Sequence, residues 1–279
     1  VGGIVRDILT MAARPIALLN SLRFGPPTEA HQRHLIDGVV SGISWYGNCI
    51  GIPDVGGEVG FASAYSGNPL VNAMCVGLVP KEAMVRASAS GEGNLLLLVG
   101  AETGRDGIHG ASGLASRSFE DDRELRPTVQ VGNPFLEKVL IEACLEVVNR
   151  FPGYVVGMQD LGAAGLTSSV VECAERGNAG VNLDVAKIPR RESQMTPYEV
   201  MLSESQERML LIVPREGLDS VCSIFEKWDL TSTVIGEVIN NPLVTIFDGD
   251  SKVAEVPVGL LTDPPQYRLQ GVKPEWLSE

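Results

Sequence analysis

Residues 154–175 read YVVGMQDLGAAGLTSSVVECAE, and this stretch decides the fold class of the chain. The apolar run 154–158 predicts a strand, which ends near the carboxylate of Asp160. The chain then turns through Gly162 into a helix predicted over 163–175. A strand that leads through glycine into a helix is typical of α/β proteins, which place ligands where strands end. Because such alternation recurs along the chain, the sequence predicts an α/β fold of the α+β type.

Hydrophobic periodicity predicts the remaining elements. Helices are predicted over 4–13, 34–46, 217–228 and after the cap residue Asn133, and strands over 16–22, 69–79, 94–99, 208–213, 232–239 and 243–247. We expect strand 69–79 to be buried, and the last two strands to form a hairpin around Asn240, Asn241 and Pro242. Two α/β domains, 1–84 and 90–262, are predicted, and 263–279 is expected to be a linker or tail.

Composition excludes several classes of protein. The 279 residues carry 22 Lys+Arg and 35 Asp+Glu, a net charge of −13, so no basic surface for a nucleic-acid backbone is expected. The five cysteines are scattered without a CxxC pair, which argues against a zinc site or a disulfide framework. No apolar run approaches the length of a membrane span. An acidic protein of this kind binds a phosphorylated metabolite only through local devices: backbone amides, a placed arginine or magnesium.

Polar clusters lie at glycine-rich joints or strand ends in five places: residues 2–7, 54–58, 100–112, 159–165 and 203–208. In the first cluster, Arg6 can donate to an anion and Asp7 can hold magnesium, although a solvated first helical turn explains both equally well. Asp160 is placed like a strand-end magnesium ligand or like an ordinary helix cap. Asp54 and Glu58 can face a cation or belong to a tight turn, and turn chemistry does not decide between these.

The loop 100–112 is the most polar of the five clusters. Directly after a run of four leucines it places four glycines, an arginine and a histidine, a composition that suits an anion cradle better than a surface loop. The residues predicted to contact phosphate are Gly104, Arg105, Asp106, Gly107 and His109. The cluster 203–208 precedes a predicted strand and can contact a small polar ligand, or be a plain solvated turn.

The order of seven motifs is more specific than any one of them. They are VGGIVRDILTMAARPIALLNSLRFG from Val1, DVGGEVGF from Asp54, NPLVN from Asn68, TGRDGIHGAS from Thr103, VQVGNPFLEK from Val129, QDLGAAGL from Gln159 and LSESQERM from Leu202. With them the chain resembles the phosphoribosylformylglycinamidine synthases, ATP-dependent synthetases of purine biosynthesis in the aminoimidazole-ribonucleotide-synthetase-like superfamily. The resemblance extends from Val1 to about residue 265.

The resemblance implies a two-domain architecture, with an N-terminal domain that helps to form a β-barrel and a larger C-terminal α/β domain. It implies a cytoplasmic C–N ligase that converts formylglycinamide ribonucleotide, ATP and ammonia into formylglycinamidine ribonucleotide, ADP and phosphate. ATP would phosphorylate the amide oxygen, and ammonia would displace the phosphate. Such chemistry depends on positioning and charge neutralisation more than on a nucleophile.

Site residues follow from the resemblance motif by motif. It implies magnesium ligands at Asp7 and Asp160. It implies substrate contacts at Arg6, Gln130, Glu204, Ser205 and Gln206. No catalytic residue is expected among the 279 positions, since the family's proposed base is a histidine upstream of the VGG segment. We therefore expect the chain to be a piece of a longer enzyme, inactive by itself.

Ammonia must come from elsewhere, because no glutaminase nucleophile motif is visible. The resemblance implies a glutaminase subunit or fused domain, and sometimes a small bridging subunit. Two other hypotheses stay open from sequence. One is another ATP-using member of the superfamily, such as a thiamine-phosphate kinase-like or selenophosphate-synthetase-like protein. The other is a noncatalytic assembly domain.

Overall fold

Two β-sheets organise the chain, whose computed structural model describes residues 1–108 and 130–277. The smaller sheet has three strands in the order β2-β1-β3. They are β1 (Arg14–Phe24), β2 (Asp54–Phe61) and β3 (Leu70–Leu78). Strand β1 pairs parallel with β2 and antiparallel with β3, and the sheet is open, not closed into a barrel.

The larger sheet has seven strands in the order β10-β9-β6-β8-β4-β7-β5. Their bounds are β4 Leu95–Gly100, β5 Gly157–Asp160, β6 Gly180–Asp184, β7 Arg208–Val213, β8 Ser232–Ile239, β9 Leu243–Asp248 and β10 Ser251–Pro257. Every residue of β4 and β7 is buried, which explains why both strands are nearly continuous apolar runs. The mixed sheet and its helices confirm the α/β class.

Helices cover both sheets. They are α1 (Gly2–Leu9), α2 (Ala30–Ile50), α3 (Pro134–Arg150), α4 (Gly165–Gly177), α5 (Pro197–Leu202), α6 (Leu218–Lys227) and α7 (Val258–Thr262). The start of α3 follows its sequence signal, since the Asn133 side chain accepts from the backbone N–H of Leu136 and Pro134 occupies the first turn. Within residues 1–108 and 130–277, no helix has the length and apolar character needed to cross a membrane.

Two hydrophobic clusters lie on opposite faces of the larger sheet. Side chains of β4 alternate between them, with Leu97 and Val99 in one cluster and Leu96 and Leu98 in the other. The first cluster also contains residues of α1, β1 and α3, so one core joins the N-terminal segment to the larger sheet. This packing places the buried face of α1 against α3 and β5, where the polar residues of α1 meet those of the larger sheet.

Two predictions about the strands are wrong. Strands β8 and β9 do not form a hairpin, because β6 lies between them and pairs antiparallel with β8 and parallel with β9. The chain does reverse at residues 240–242, but a local signal cannot reveal a strand inserted from elsewhere. Strand β3 is mostly exposed, since the apolar side chains of one of its faces, including Met74, lie uncovered in this chain.

Residues 54–58 form part of strand β2 and not a tight turn. Gly57 has φ +149, and a side chain there would collide with the backbone of Asn20 on β1. The glycine therefore permits close approach of two strands. Asp54 accepts a hydrogen bond from the Asn20 side chain, and Glu58 pairs with Arg23.

Candidate functional site

An open cavity of about 490 Å³ lies where α1, the end of α2 and the segment before β7 meet. It is lined by Val1, Gly2, Gly3, Arg6, Tyr46, Gln130, Gly132, Gly162, Ala163, Glu204 and Gln206. Four of the five predicted substrate contacts are therefore brought together from three separate parts of the sequence. Polar side chains converging in one concave site are what a small polar ligand requires.

Arg6 forms the floor of this cavity, with only 1% of its surface exposed. Its Nη1 donates to Glu137 Oε2 at 2.9 Å and its Nη2 donates to Gln206 Oε1 at 2.5 Å. Burial alone would lower the pKa of Arg6, but the charge of Glu137 and the neighbouring Tyr46 and Glu207 outweigh it and raise the pKa. Arg6 therefore remains a cation, and its Nε has no hydrogen-bond partner among the described residues.

Glu137 is a site residue that the sequence analysis missed. It stands in the first turn of α3, where a glutamate is ordinarily explained by the helix dipole, yet its side chain is fully buried. Burial raises its pKa to about 7, against the opposing effect of Arg6. A sequence signal did exist, because Glu137 is spaced from the buried Leu140 and Ile141 as a member of the apolar face of α3.

Tyr46 was also missed, and it lines the cavity. Its hydrogen-bond partner is Glu207, a member of the predicted cluster 203–208. The Tyr46 hydroxyl donates to Glu207 Oε1 at 2.7 Å, and both residues are buried. Glu207 Oε1 lies 3.9 Å from Arg6 Nη1, so the arginine faces two carboxylates. Burial, followed by the charges of Glu137 and Glu207, raises the pKa of Tyr46, which keeps the hydroxyl protonated as a donor.

The predicted triplet 204–206 divides its side chains between two sides. Glu204 and Gln206 point to the cavity, where Gln206 Nε2 donates to Gln130 Oε1 at 2.9 Å and Gln130 Nε2 donates to Glu204. Glu204 Oε1 also accepts from the backbone N–H of Ala164 at 3.0 Å. Ser205 is buried on the other side, and its hydroxyl accepts from the N–H of Gly104 at 2.9 Å. Ser205 thus supports the loop and does not line the cavity.

Asp7 and Asp160, the predicted magnesium ligands, lie next to each other. Asp160 is buried at the end of β5 and faces α1. Its own burial, and next the like charge of Asp7, raise the pKa of Asp160 to about 6. Two crowded carboxylates fit a hard divalent ion, and magnesium is often held by only two carboxylates and waters. Within the described residues, no cluster of three or more carboxylate, histidine or cysteine ligands forms.

The predicted phosphate loop is anchored on the side of α5. Arg105 pairs with Glu192 Oε2 at 3.1 Å and with Glu199 Oε1 at 2.7 Å. Asp106 accepts from Arg191 Nη2 at 2.5 Å and from the Ser205 hydroxyl. These partners occupy the charged groups of the loop, so its role toward phosphate stays a prediction.

The other members of that loop have different positions. The N–H of Gly104 donates to the hydroxyl of Ser205, and Gly107, with φ +61, lies directly against the side chain of Glu204. His109 lies outside the described residues. The second cluster of the sequence analysis, Asp54 and Glu58, is in a separate pocket of about 540 Å³ between α2 and the small sheet.

Comparison with known proteins places the chain in a family. The model of the AIR synthase related protein C-terminal domain matches residues 91–249, and that of the N-terminal domain matches residues 1–79. The chain belongs to the AIR synthase related protein family. This membership confirms the superfamily that the motifs indicated.

PurL proteins match this AIR synthase related chain over most or all of its length. It is 62% identical to the phosphoribosylformylglycinamidine synthase subunit PurL of Thermomicrobium roseum, over 94% of this chain and 35% of that protein. It is 53% identical to the PurL subunit of Caldanaerobacter subterraneus, over 100% of this chain and 38% of that protein. The chain therefore spans about a third of the length of these relatives, and the predicted resemblance is confirmed.

Solved structures support the same relationship. The AIR synthase related chain superimposes on T. maritima PurL complexed with FGAR with a TM-score of 0.86 and 41% identity, covering 98% of this chain and 44% of that one. For T. maritima PurL complexed with ATP the TM-score is 0.82 at 39% identity, covering 98% and 42%. For HypE of E. coli the identity is 16% and the TM-score is 0.67, over 88% of this chain and 74% of the HypE chain. This likeness shows a shared fold alone.

Proposed function

We propose that this chain binds formylglycinamide ribonucleotide and forms part of the ATP site in a C–N ligase of purine biosynthesis. The reaction joins formylglycinamide ribonucleotide, ATP and ammonia to give formylglycinamidine ribonucleotide, ADP and phosphate. The observation that carries this proposal is the single cavity in which Arg6, Gln130, Glu204 and Gln206 converge. Its support from outside the chain is the likeness to a PurL structure complexed with FGAR.

The chemistry of the cavity suits a ligand that carries both an anionic oxygen and an amide. The Arg6 guanidinium is a buried cation that can donate to an anionic oxygen, and its Nη2 already faces the cavity residue Gln206. Gln130 and Gln206 form a chain of primary amides, each with a donor and an acceptor, which can pair with both groups of a substrate amide. Glu204 anchors this chain by accepting from Gln130 and from the backbone of Ala164.

The proposed reaction balances in two steps. The amide oxygen of the substrate attacks the γ-phosphorus of ATP, ADP leaves, and the amide nitrogen releases its proton. Ammonia then forms a bond to the activated carbon and gives one proton to the phosphate, which leaves with the former amide oxygen. Magnesium, when bound, would neutralise charge on the phosphates, and Asp7 and Asp160 are the residues that would hold it. The chain's own task is to orient the amide.

The partners are proposed on the same basis. A glutaminase subunit or domain, with or without a small bridging subunit, would supply ammonia, and the amidotransferase complex would work in the cytoplasm.

The test uses the full-length protein with ATP, ammonium and formylglycinamide ribonucleotide. We expect ADP release that depends on the ribonucleotide. R6M should raise the KM for the ribonucleotide about 10- to 100-fold, because it removes charge-assisted hydrogen bonds that contribute about 1.5–3 kcal/mol. R14M is the matched control, since Arg14 pairs with Glu142 near the surface. An ADP release rate that does not depend on the ribonucleotide would refute the proposal.

A further inference from the structure

Arg208, the first residue of β7, is a fully buried guanidinium without a carboxylate partner among the described residues. It is 0% exposed, and none of the ion pairs within residues 1–108 and 130–277 includes it. Its hydrogen bonds there all go to neutral oxygens: Nε donates to Ser205 O at 2.9 Å, Nη2 to Ser203 O at 2.6 Å and Nη1 to Thr103 Oγ1 at 2.9 Å.

Such an arrangement is costly, because a buried charge is stable only when its hydrogen bonds are well made. Burial lowers the pKa of Arg208 to about 9, although the negative charge of Asp106 acts in the opposite direction. An apolar residue would pack at the start of a buried strand without this cost. The hydrogen bonds of the guanidinium, and not packing alone, therefore account for an arginine at this position.

Two of the three acceptors belong to the predicted substrate triplet 204–206 or to the residue just before it. Ser203 O and Ser205 O lie on either side of Glu204, so the planar fork of Arg208 fixes the backbone from which Glu204 projects into the cavity. Thr103 Oγ1 belongs to the neighbouring loop, which Arg208 thereby joins to the triplet. The same two segments also meet where the N–H of Glu204 donates to Asp106 O at 2.8 Å.

We propose that Arg208 is a positioning residue for the substrate site: it holds the backbone of residues 203–206 so that Glu204 and Gln206 reach the substrate. The inference rests on the proposed function and deepens it. It separates two roles within one short segment, since Arg208 acts through the backbone on one side while the side chains at 204 and 206 contact the ligand on the other.

The test compares R208M and R208K in the full-length protein. R208M should raise the KM for formylglycinamide ribonucleotide about tenfold or more and change kcat less than that, because the displaced side chains of Glu204 and Gln206 are contacts that bind the substrate. R208K should lie between R208M and wild type, since an ammonium has no planar fork to bridge three oxygens. The KM for ATP should stay within about twofold.

The matched control is R190M. Arg190 also donates to two backbone carbonyls, Val185 O at 2.7 Å and Met195 O at 3.1 Å, but neither belongs to the triplet. We expect R190M to lower the melting temperature and to leave the KM for the ribonucleotide unchanged. A purely structural Arg208 would give the same pattern as R190M, and that result would overturn the proposal.

A second variant covers the case in which R208M does not fold. T103V removes one acceptor of the fork at nearly constant volume, and should raise the KM for the ribonucleotide about threefold in the same direction. An unchanged KM in T103V and R208K together would overturn the positioning role. Failure of the proposed function is separate, because in that case the wild-type protein itself shows no ribonucleotide-dependent ADP release.

Discussion

Arg6 of α1 and Glu137 of α3 are 131 residues apart in the sequence, and Arg6 Nη1 donates to Glu137 Oε2 over 2.9 Å with both side chains buried. The pair joins the region matched by the N-terminal family model to the region matched by the C-terminal one. It also sets the position of the guanidinium at the floor of the cavity. The proposed substrate binding and the packing of α1 on α3 therefore depend on the same contact.

Removal of Glu137 should be strongly destabilising. Above pH 7, where Glu137 is ionised, E137A leaves a buried arginine without its nearest counter-charge, which typically costs about 3–5 kcal/mol. E137Q keeps an oxygen acceptor for Arg6 Nη1 and should cost less. Thermal unfolding of the full-length protein measures both. The control is E142Q on the same helix, whose partner Arg14 is half exposed, so its effect should stay within about 1 kcal/mol. Equal melting temperatures for E137A and E142Q would contradict the prediction.

The pKa of Glu137 gives a pH dependence with a definite sign. The folded-state pKa is about 7, above the ordinary value of 4.5, so between these pH values the folded protein holds a proton that the unfolded chain has released. The contribution of this carboxyl to the free energy of unfolding therefore falls as pH rises from about 4.5 to about 7, and is constant outside that window.

The measurement is the difference in melting temperature between wild type and E137Q across that range. It should favour wild type more at pH 5 than at pH 7.5, since glutamine does not titrate. Parallel curves for the two proteins would show that Glu137 has an ordinary pKa in the folded state.

Elements buried on both faces were predictable from the sequence, because continuous apolar runs with polar ends define their own limits. Strand β7 begins and ends where the pattern predicts, at Arg208 and Val213. The partner of a strand is a different matter. The sequence around residues 240–242 signals a reversal, but only the complete sheet shows that β6 occupies the place beside β8.

The candidate site divides in the same way. Motifs identified four polar residues that line the cavity, including Arg6 and Gln206, which stand at a glycine joint and a polar strand entrance. The residues that hold them were not identified. Tyr46 lies within an ordinary helix, and its contact with Glu207 depends on tertiary packing that local periodicity does not encode. For Glu137 the spacing indicates the buried face of α3, but it does not indicate that Arg6 is the partner.

The carboxylate pair predicts a metal dependence that can be measured by binding. D7N/D160N should abolish the magnesium-dependent part of ATP binding in the full-length protein and leave folding intact, because the ion loses both charged oxygen ligands. D7N alone should lower the pKa of Asp160 by removing a like charge. Calorimetric titration with ATP, with and without magnesium, gives the first result. D37N, on the exposed face of α2, is the control, and an unchanged magnesium effect in the double variant would exclude this site.

Arg105 offers a test of the loop 104–109. Its guanidinium is engaged by Glu192 and Glu199, so we expect R105M to lower the melting temperature and to leave the KM for ATP nearly unchanged. E199Q removes the negative charge that pairs with Arg105 and leaves the loop sequence unchanged, so it should have a similar effect on stability. If R105M raises the KM for ATP while E199Q does not, Arg105 contacts phosphate directly and its ion pairs are secondary.

Gly100, at the end of β4, lies against the backbone of Glu207. It has φ +104, and an added Cβ would collide with the backbone carbonyl of Glu207, the residue that accepts from Tyr46. G100A should therefore destabilise the protein by more than about 1 kcal/mol, and displacement of Glu207 should also weaken binding of the ribonucleotide. G153A separates the two effects, because Gly153 has a similar φ of +93 with open space around it. G153A should lower stability through backbone strain alone, with unchanged ribonucleotide affinity. Equal affinity in both variants would show that Glu207 does not transmit the disturbance to the cavity.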